Sequence, residues 1–244
     1  MIFEFIEDFA KLALIVTGLY FVLGAYVRRR QPAWSGAVGR RRFAILLAFA
    51  LFVSAIKVTE DALGGESGPV DEAILDFIHR HAPSSLNGFF GTVTFTGSSW
   101  ILVPLTVVAT TALLLARRRF EALLLATSAI SGAIVVYVVK MAAGRARPAL
   151  WATEWYWGSS FPSGHTLVVA AIATAGVLCA GRIRPAARGV ALSVAFIWIL
   201  LVALSRMVIG VHWPTDVLAA ACIGAFLPLA IFVALEGLSP RRVM

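Results

Sequence analysis

Three polar clusters interrupt an otherwise apolar chain between Lys140 and Asp216: Lys140 with Arg147-Pro148, then Pro162-Ser163-Gly164-His165, then Ser205-Arg206 with His212 and Asp216. Their residue types suit chemistry at a phosphate. Arg147 and Arg206 offer planar, paired donors to phosphate oxygens, and Lys140 adds a mobile point charge. Pro162 suits the start of a helix whose first turn would hold Ser163, Gly164 and His165, where unpaired backbone N–H groups and the positive dipole end attract an anion. Gly164 permits close approach of a ligand, and Ser163 adds a hydroxyl donor. His212 and Asp216 are four residues apart; with Pro214 as the first helical residue, the Asp216 side chain can reach back to the His212 ring. There it would fix the tautomer and stabilise the imidazolium, as the acid of a catalytic triad does. Arg145 falls at the rim of the cation group. Each feature alone has an ordinary reading: Lys140 and Arg206 as snorkelling helix ends, Pro-Ser-Gly as a common turn, His and Asp as an incidental pair. Four cations converging beside two His and one Asp are harder to dismiss.

The elements that position these residues are membrane spans. With 60% hydrophobic and 14% charged residues and a mean hydropathy of +0.88 over 244 residues, the chain is too apolar for a soluble domain, whose charged fraction is about 25%. Spans of about 20 apolar residues are expected near 9–27, 43–59, 100–116, 121–139, 164–180, 189–207 and 217–235. The first holds Lys11 and has an interfacial helix as its alternative; its acidic start, Glu4, Glu7 and Asp8, does not resemble a secretory signal. The net charge of +8 points to membrane topology rather than nucleic acid, since 14 of 21 Lys and Arg fall at Arg28–Arg30 with Arg40–Arg42, at Arg117–Arg119, at Arg182 with Arg184 and Arg188, and at Arg241 with Arg242. Parity puts these on one side, the cytoplasm by the positive-inside rule, and all three polar clusters on the other. A basic loop with Pro32, Gly36 and Gly39 then sets topology. The longest outer connection, 63–99, contains an amphipathic segment from Val70 to His81 suited to the membrane surface. His79 and His81 lack a third metal ligand and read as a solvated helix end. Asn87 to Ser99, with Gly88, Gly91 and Gly97, reads as a re-entrant or interfacial turn. Cys179 and Cys222 lie inside spans as small core residues. Trp151, Trp155, Tyr156, Trp157 and Phe161, with Trp100 and Trp213, read as an interfacial aromatic belt, with direct substrate contact as the alternative.

The clusters resemble the signature of the type 2 phosphatidic acid phosphatase (PAP2) superfamily, which includes lipid phosphatases, undecaprenyl-diphosphate phosphatases, glucose-6-phosphatase and vanadium haloperoxidases. Lys140, Arg147 and Pro148 meet K-x6-R-P; Pro162 to His165 are P-S-G-H; Ser205, Arg206, His212 and Asp216 meet S-R-x5-H-x3-D. The resemblance runs over residues 100–235 with no departure at a signature position. It implies an all-α polytopic membrane bundle, a six-helix core plus an extra N-terminal helix. It further implies His212 as a nucleophile forming a phosphohistidine, Asp216 orienting it, and His165 as the acid that protonates the leaving oxygen. Lys140, Arg147, Ser163, the Gly164 amide and Arg206 would bind the phosphate, with no metal and no cofactor. The expected organisation is an N-terminal helix and basic loop at 1–42, the phosphatase domain at 43–236 and a cytoplasmic tail at 237–244.

The function expected is hydrolysis of a lipid phosphate or diphosphate (phosphatidylglycerophosphate, phosphatidic acid or undecaprenyl diphosphate) at the outer face of the cytoplasmic membrane, with lipids and no nucleic acid as partners. A lipid phosphotransferase using the same histidine is one alternative. A non-catalytic lipid-phosphate binder or transporter is the other, although its expected mark is a lost nucleophile and His212 is present. A haloperoxidase fits poorly with a site inside a membrane bundle.

Overall fold

The computed structural model describes residues 2–30, 41–151 and 157–238. These contain nine α-helices: α1 (Ile2–Arg30), α2 (Arg42–Gly64), α3 (Gly68–His81), α4 (Asn87–Thr96), α5 (Ser99–Leu115), α6 (Arg119–Ala143), α7 (Gly164–Ile183), α8 (Arg188–Val208) and α9 (Pro214–Leu238). No strand occurs among the described residues. Six stretches are long and apolar enough to cross a membrane, among them Ala10–Arg30 in α1; α4 and α5, bent by 42° where they meet, make a seventh if counted as one span. Helices satisfy their own backbone hydrogen bonds in lipid, so an all-helical bundle is the outcome the composition demands.

α7 is the most enclosed helix, with Leu167, Val169, Ala170, Ala171 and Ala175 fully buried. It packs against α6, α8 and α9, and α9 packs in turn along α2. Small residues on α7 and α9 let these backbones approach closely. At Gly224 of α9 even a methyl group would overlap the Leu167 carbonyl and Ala170 of α7. Leu102, Leu124, Leu125, Val169, Ile172, Val202 and Phe232 form the main core between α5 and α9. α1 packs along α2 and its span buries nothing further, in keeping with an addition to a core.

Several expectations are corrected. The stretch Asn87–Ser99, expected as a re-entrant or interfacial turn, is mostly helical: residues 87–96 form α4, and the bend into α5 comes at Gly97 and Ser98. A Cβ at Gly97 would lie 3.1 to 3.4 Å from Val202, Val169 and the His165 Cβ, so glycine seats the break against α7 and α8. The amphipathic helix forms as α3, but Asp71 in its first turn does not face solvent: it is 1% exposed. Phe161 belongs to no aromatic belt; it is fully buried beside Ala62 and Ala219. Trp100 and Trp157 are exposed as a belt requires, while Trp155 and Tyr156 lie outside the described residues, as do the 31–40 loop and the basic pair Arg241 and Arg242. Cys179 and Cys222 are buried free thiols.

Helix direction places the C-terminal ends of α6 and α8 with the N-terminal ends of α7 and α9 at one end of the bundle. At the opposite end Arg41 forks onto both Glu236 oxygens at 2.9 Å. Arg182 bridges Glu236 at 2.9 Å and Glu121 at 3.1 Å, its guanidinium 3.9 Å above the Phe120 ring. This network ties α2, α6, α7 and α9 together.

Candidate active site

Each polar cluster is delivered by a helix terminus. α6 ends at Gly144, whose φ of 61° is the left-handed cap that glycine adopts without strain. Lys140 stands in the last turn before that cap, and the chain beyond it carries Arg145 and Arg147. Lys140 Nζ donates to the Ser159 carbonyl. Arg147 donates through Nη1 to the Val211 carbonyl at 2.9 Å and through Nη2 to the Trp157 carbonyl at 3.2 Å; its Nη1 also lies 3.5 Å from His212 Nε2. The first cluster is thereby folded against both of the others.

The second cluster differs by one position from the sequence expectation. α7 begins at Gly164, and Ser163 is the N-cap with extended backbone (φ −68°, ψ 108°), so Pro162 lies outside the helix. Ser163 is fully buried; its N–H donates to the Asp216 carbonyl at 3.2 Å and its hydroxyl pairs with Thr166 at 3.1 Å. A Cβ on Gly164 would stand 3.2 Å from Val136 and 4.0 Å from the Lys140 Cε, so the glycine keeps the helix start close to the lysine. The orphan N–H groups of this first turn and the positive dipole end thus open beside Lys140 and His165.

In the third cluster α8 ends with Ser205 and Arg206, both buried, and Arg206 Nη1 donates to Thr94 Oγ1 of α4 at 2.6 Å. The turn that follows requires Gly210, with φ 76° and the Trp151 ring only 2.5 Å from where a Cβ would stand. Trp151 also stacks on His79 of α3, ring centroids 4.0 Å apart. The turn leads to His212, which is 2% exposed. His212 Nδ1 faces Asp216 Oδ2 at 3.4 Å, longer than an ordinary hydrogen bond. Burial pushes the His212 imidazole down to about 4, against the opposing pull of Asp216. The ring is therefore neutral at pH 7, with a nitrogen lone pair free.

Asp216 is fully buried and held on both oxygens. Oδ2 accepts from Ser160 Oγ at 2.6 Å and from the Trp213 N–H at 2.9 Å. Oδ1 accepts from Arg145 Nη1 at 2.5 Å. Arg145 is thus no rim residue: it is 12% exposed and its other terminal nitrogen donates to Asp71 at 2.7 Å. The eight residues expected from sequence (Lys140, Arg147, Ser163, Gly164, His165, Arg206, His212 and Asp216) all lie at this end of the bundle. Around them stand Asp71, Thr94, Arg145, Ser160 and Thr215, which sequence reading passed over or misplaced. For Asp71 a signal existed: with Leu75 and Ile78 it falls at i, i+4 and i+7, a carboxylate on the apolar stripe of α3. No group of three or more His, Cys, Asp or Glu suited to a metal occurs among the described residues.

Known proteins resemble this chain in sequence and in fold. Residues 121–238 match the family model of the PAP2 superfamily. An undecaprenyl-diphosphatase of Sulfolobus acidocaldarius is 25% identical over 211 residues, covering 81% of this chain and 92% of that protein. Phosphatidylglycerophosphatase B of Escherichia coli K12 is 36% identical over 66 residues, which span 27% of this chain and only 25% of the relative. The fold is shared with a transmembrane PAP2 type phosphatidylglycerolphosphate phosphatase from Bacillus subtilis, at a TM-score of 0.72 and 24% identity over 80% of this chain and 98% of that one. LpxE from Aquifex aeolicus superposes less fully, at a TM-score of 0.54 and 23% identity over 66% of this chain and 93% of that one. With motif set, family match and fold in agreement, residues 121–238 form a PAP2 superfamily region, and the chain is a multi-pass membrane phosphatase.

Proposed function

We propose that this chain hydrolyses a lipid phosphate or diphosphate through a phosphohistidine on His212, at the outer face of the cytoplasmic membrane. The observation that carries this reading is the placement of His212: a buried, neutral imidazole with Nδ1 facing Asp216 and Nε2 facing Arg147. In the first step Nε2 attacks phosphorus, and the bond from phosphorus to the leaving oxygen breaks as His165 gives that oxygen a proton. Asp216 stabilises the positive ring that results. In the second step His165 takes a proton from water, the water oxygen attacks phosphorus, and the phosphorus–nitrogen bond breaks. This returns His212 and releases inorganic phosphate. Lys140, Arg147, Arg206 and the first-turn N–H groups of α7 would offset the charge on the equatorial oxygens.

The proposed orientation is supported by the basic residues at the other end of the bundle, Arg28–Arg30, Arg41, Arg42, Arg117–Arg119, Arg182, Arg184 and Arg188, which the positive-inside rule favours on the cytoplasmic side. Exposed Trp100 and Trp157 at the site end suit the headgroup level, where a phosphate enters while its tails stay in the bilayer. The relatives' names suggest undecaprenyl diphosphate and phosphatidylglycerophosphate as the first substrates to try, with phosphatidic acid as a third. Phosphate release from each by detergent-purified protein in EDTA is expected to persist in wild type and vanish in His212→Ala. Turnover by His212→Ala at the wild-type rate would sink the mechanism.

A further inference from the structure

Asp71 lies far from the signature motifs in sequence, yet it is 1% exposed and accepts four hydrogen bonds. They come from Ser67 Oγ at 3.0 Å, Arg145 Nη2 at 2.7 Å, the Thr215 N–H at 3.0 Å and Thr215 Oγ1 at 2.7 Å. Two of these connect to the reaction. The Thr215 N–H belongs to the first turn of α9, where backbone donors have no acceptor within the helix. Asp71 supplies one from a segment 144 residues away, so a carboxylate of α3 caps the helix that begins beside His212. Arg145, in turn, lies between two carboxylates. Its Nη2 meets Asp71, while Nη1 meets Asp216 Oδ1 at 2.5 Å and Thr215 Oγ1 at 2.9 Å.

We propose that Asp71 is a positioning residue for the reaction: acting through Arg145 and Thr215, it holds the Asp216 carboxylate in the orientation that faces His212. The inference rests on the reading of His212 and Asp216 given above. With Oδ1 committed to Arg145, Asp216 has Oδ2 left for Ser160, the Trp213 N–H and His212. A guanidinium fixed by two carboxylates has one plane and one position; with Asp71 gone, Arg145 is free to turn toward a bound phosphate and release Oδ1. The carboxylate then swings, and the nucleophile loses the partner that sets its tautomer. α3 is therefore more than a surface helix: the buried Asp71 of its first turn joins the outer connection to the nucleophile.

The test compares kcat and KM of full-length, detergent-purified wild type, Asp71→Asn, Arg145→Lys, Asp216→Asn and Asp71→Asn/Asp216→Asn, with His212→Ala as control. Substrates are phosphatidic acid, phosphatidylglycerophosphate and undecaprenyl diphosphate. Asn at position 71 keeps one acceptor for α9 but turns an amide donor or a neutral oxygen toward Arg145. Asp71→Asn is expected to lower kcat about 10- to 100-fold with KM within about threefold, the pattern of an interaction that matters in the transition state. Adding it to Asp216→Asn is expected to cost less than about twofold, because the route it acts through is already cut. Arg145→Lys reaches a single carboxylate and is expected to give the same split, so it carries the test should Asp71→Asn fail to fold. A kcat within about twofold of wild type in the single variants, or an undiminished loss in the Asp216→Asn background, overturns the inference. Wild-type turnover by His212→Ala instead overturns the reading beneath it.

Discussion

The two ends of the bundle both pair arginines with carboxylates, yet among the described residues the pairs serve different roles. At the end away from the site Arg41 and Arg182 face Glu121 and Glu236, a set in which each guanidinium bonds a carboxylate directly. At the site end Lys140, Arg145, Arg147 and Arg206 gather around Asp71 and Asp216, and both carboxylates bond Arg145. The described hydrogen bonds of Lys140, Arg147 and Arg206 run to the Ser159, Val211 and Trp157 carbonyls, the Thr94 hydroxyl and the His212 ring. One network fastens helices; the other also fixes Asp216 beside His212.

The largest effect that separates the two ends is on turnover. Arg206→Ala and Arg147→Ala each remove donors proposed to bind the phosphate and are expected to lower kcat/KM about 10²- to 10³-fold. Arg182→Ala, which strips the buried Glu121 of its partner, is expected to leave kcat/KM within about threefold while lowering stability by about 1–3 kcal/mol. Kinetics and thermal midpoints in detergent measure both. A loss of turnover in Arg182→Ala equal to that in Arg206→Ala would erase the distinction between the ends.

A second contrast lies in pH dependence. Burial holds His212 near 4 in the folded protein, below the ordinary imidazole value of 6.5. The neutral ring is thus fully compatible with folding above about pH 6.5, and stability is lost as pH falls from there toward 4, since the unfolded chain takes up the proton first. The drop in thermal midpoint over that window is expected to be larger in wild type than in His212→Ala, by an amount equivalent to about 3 kcal/mol at most. Parallel pH profiles would mean that the imidazole is not held neutral by burial.

The smallest effect concerns how Arg206 is held. Thr94→Val keeps the shape of the side chain and removes the hydroxyl that Arg206 meets at 2.6 Å. One hydrogen bond to a charged group is worth about 1.5–3 kcal/mol, and part of that is recovered when substrate engages the arginine, so a loss of about three- to tenfold in kcat/KM is expected. No loss in the steady-state assay would show that α4 contributes nothing to the site.

Much of this organisation was legible in the sequence because its signals are local or governed by parity. Apolar length gave the spans, and the order of helix ends put Lys140, His165, Arg206, His212 and Asp216 together before any contact was known. What escaped was non-local. The pairing of Asp71 with Arg145 and Thr215 joins residues separated by 74 and 144 positions, and no spacing rule connects them. Phe161 was misplaced because an aromatic among tryptophans looks interfacial, whereas the chain turns it inward between α2 and α9. The glycines of 87–99 suggested a turn, but one of them, Gly97, is needed to seat the helix break against its neighbours.

The most direct measurement is of the covalent intermediate itself. Purified protein mixed with phosphate-labelled lipid and quenched in alkali within milliseconds is expected to carry an acid-labile, alkali-stable phosphoryl group. Peptide mass spectrometry is expected to place that group on His212, with none formed in His212→Ala. Phosphate release at full rate with no label on His212, or with label on another side chain, would contradict the assignment of the nucleophile.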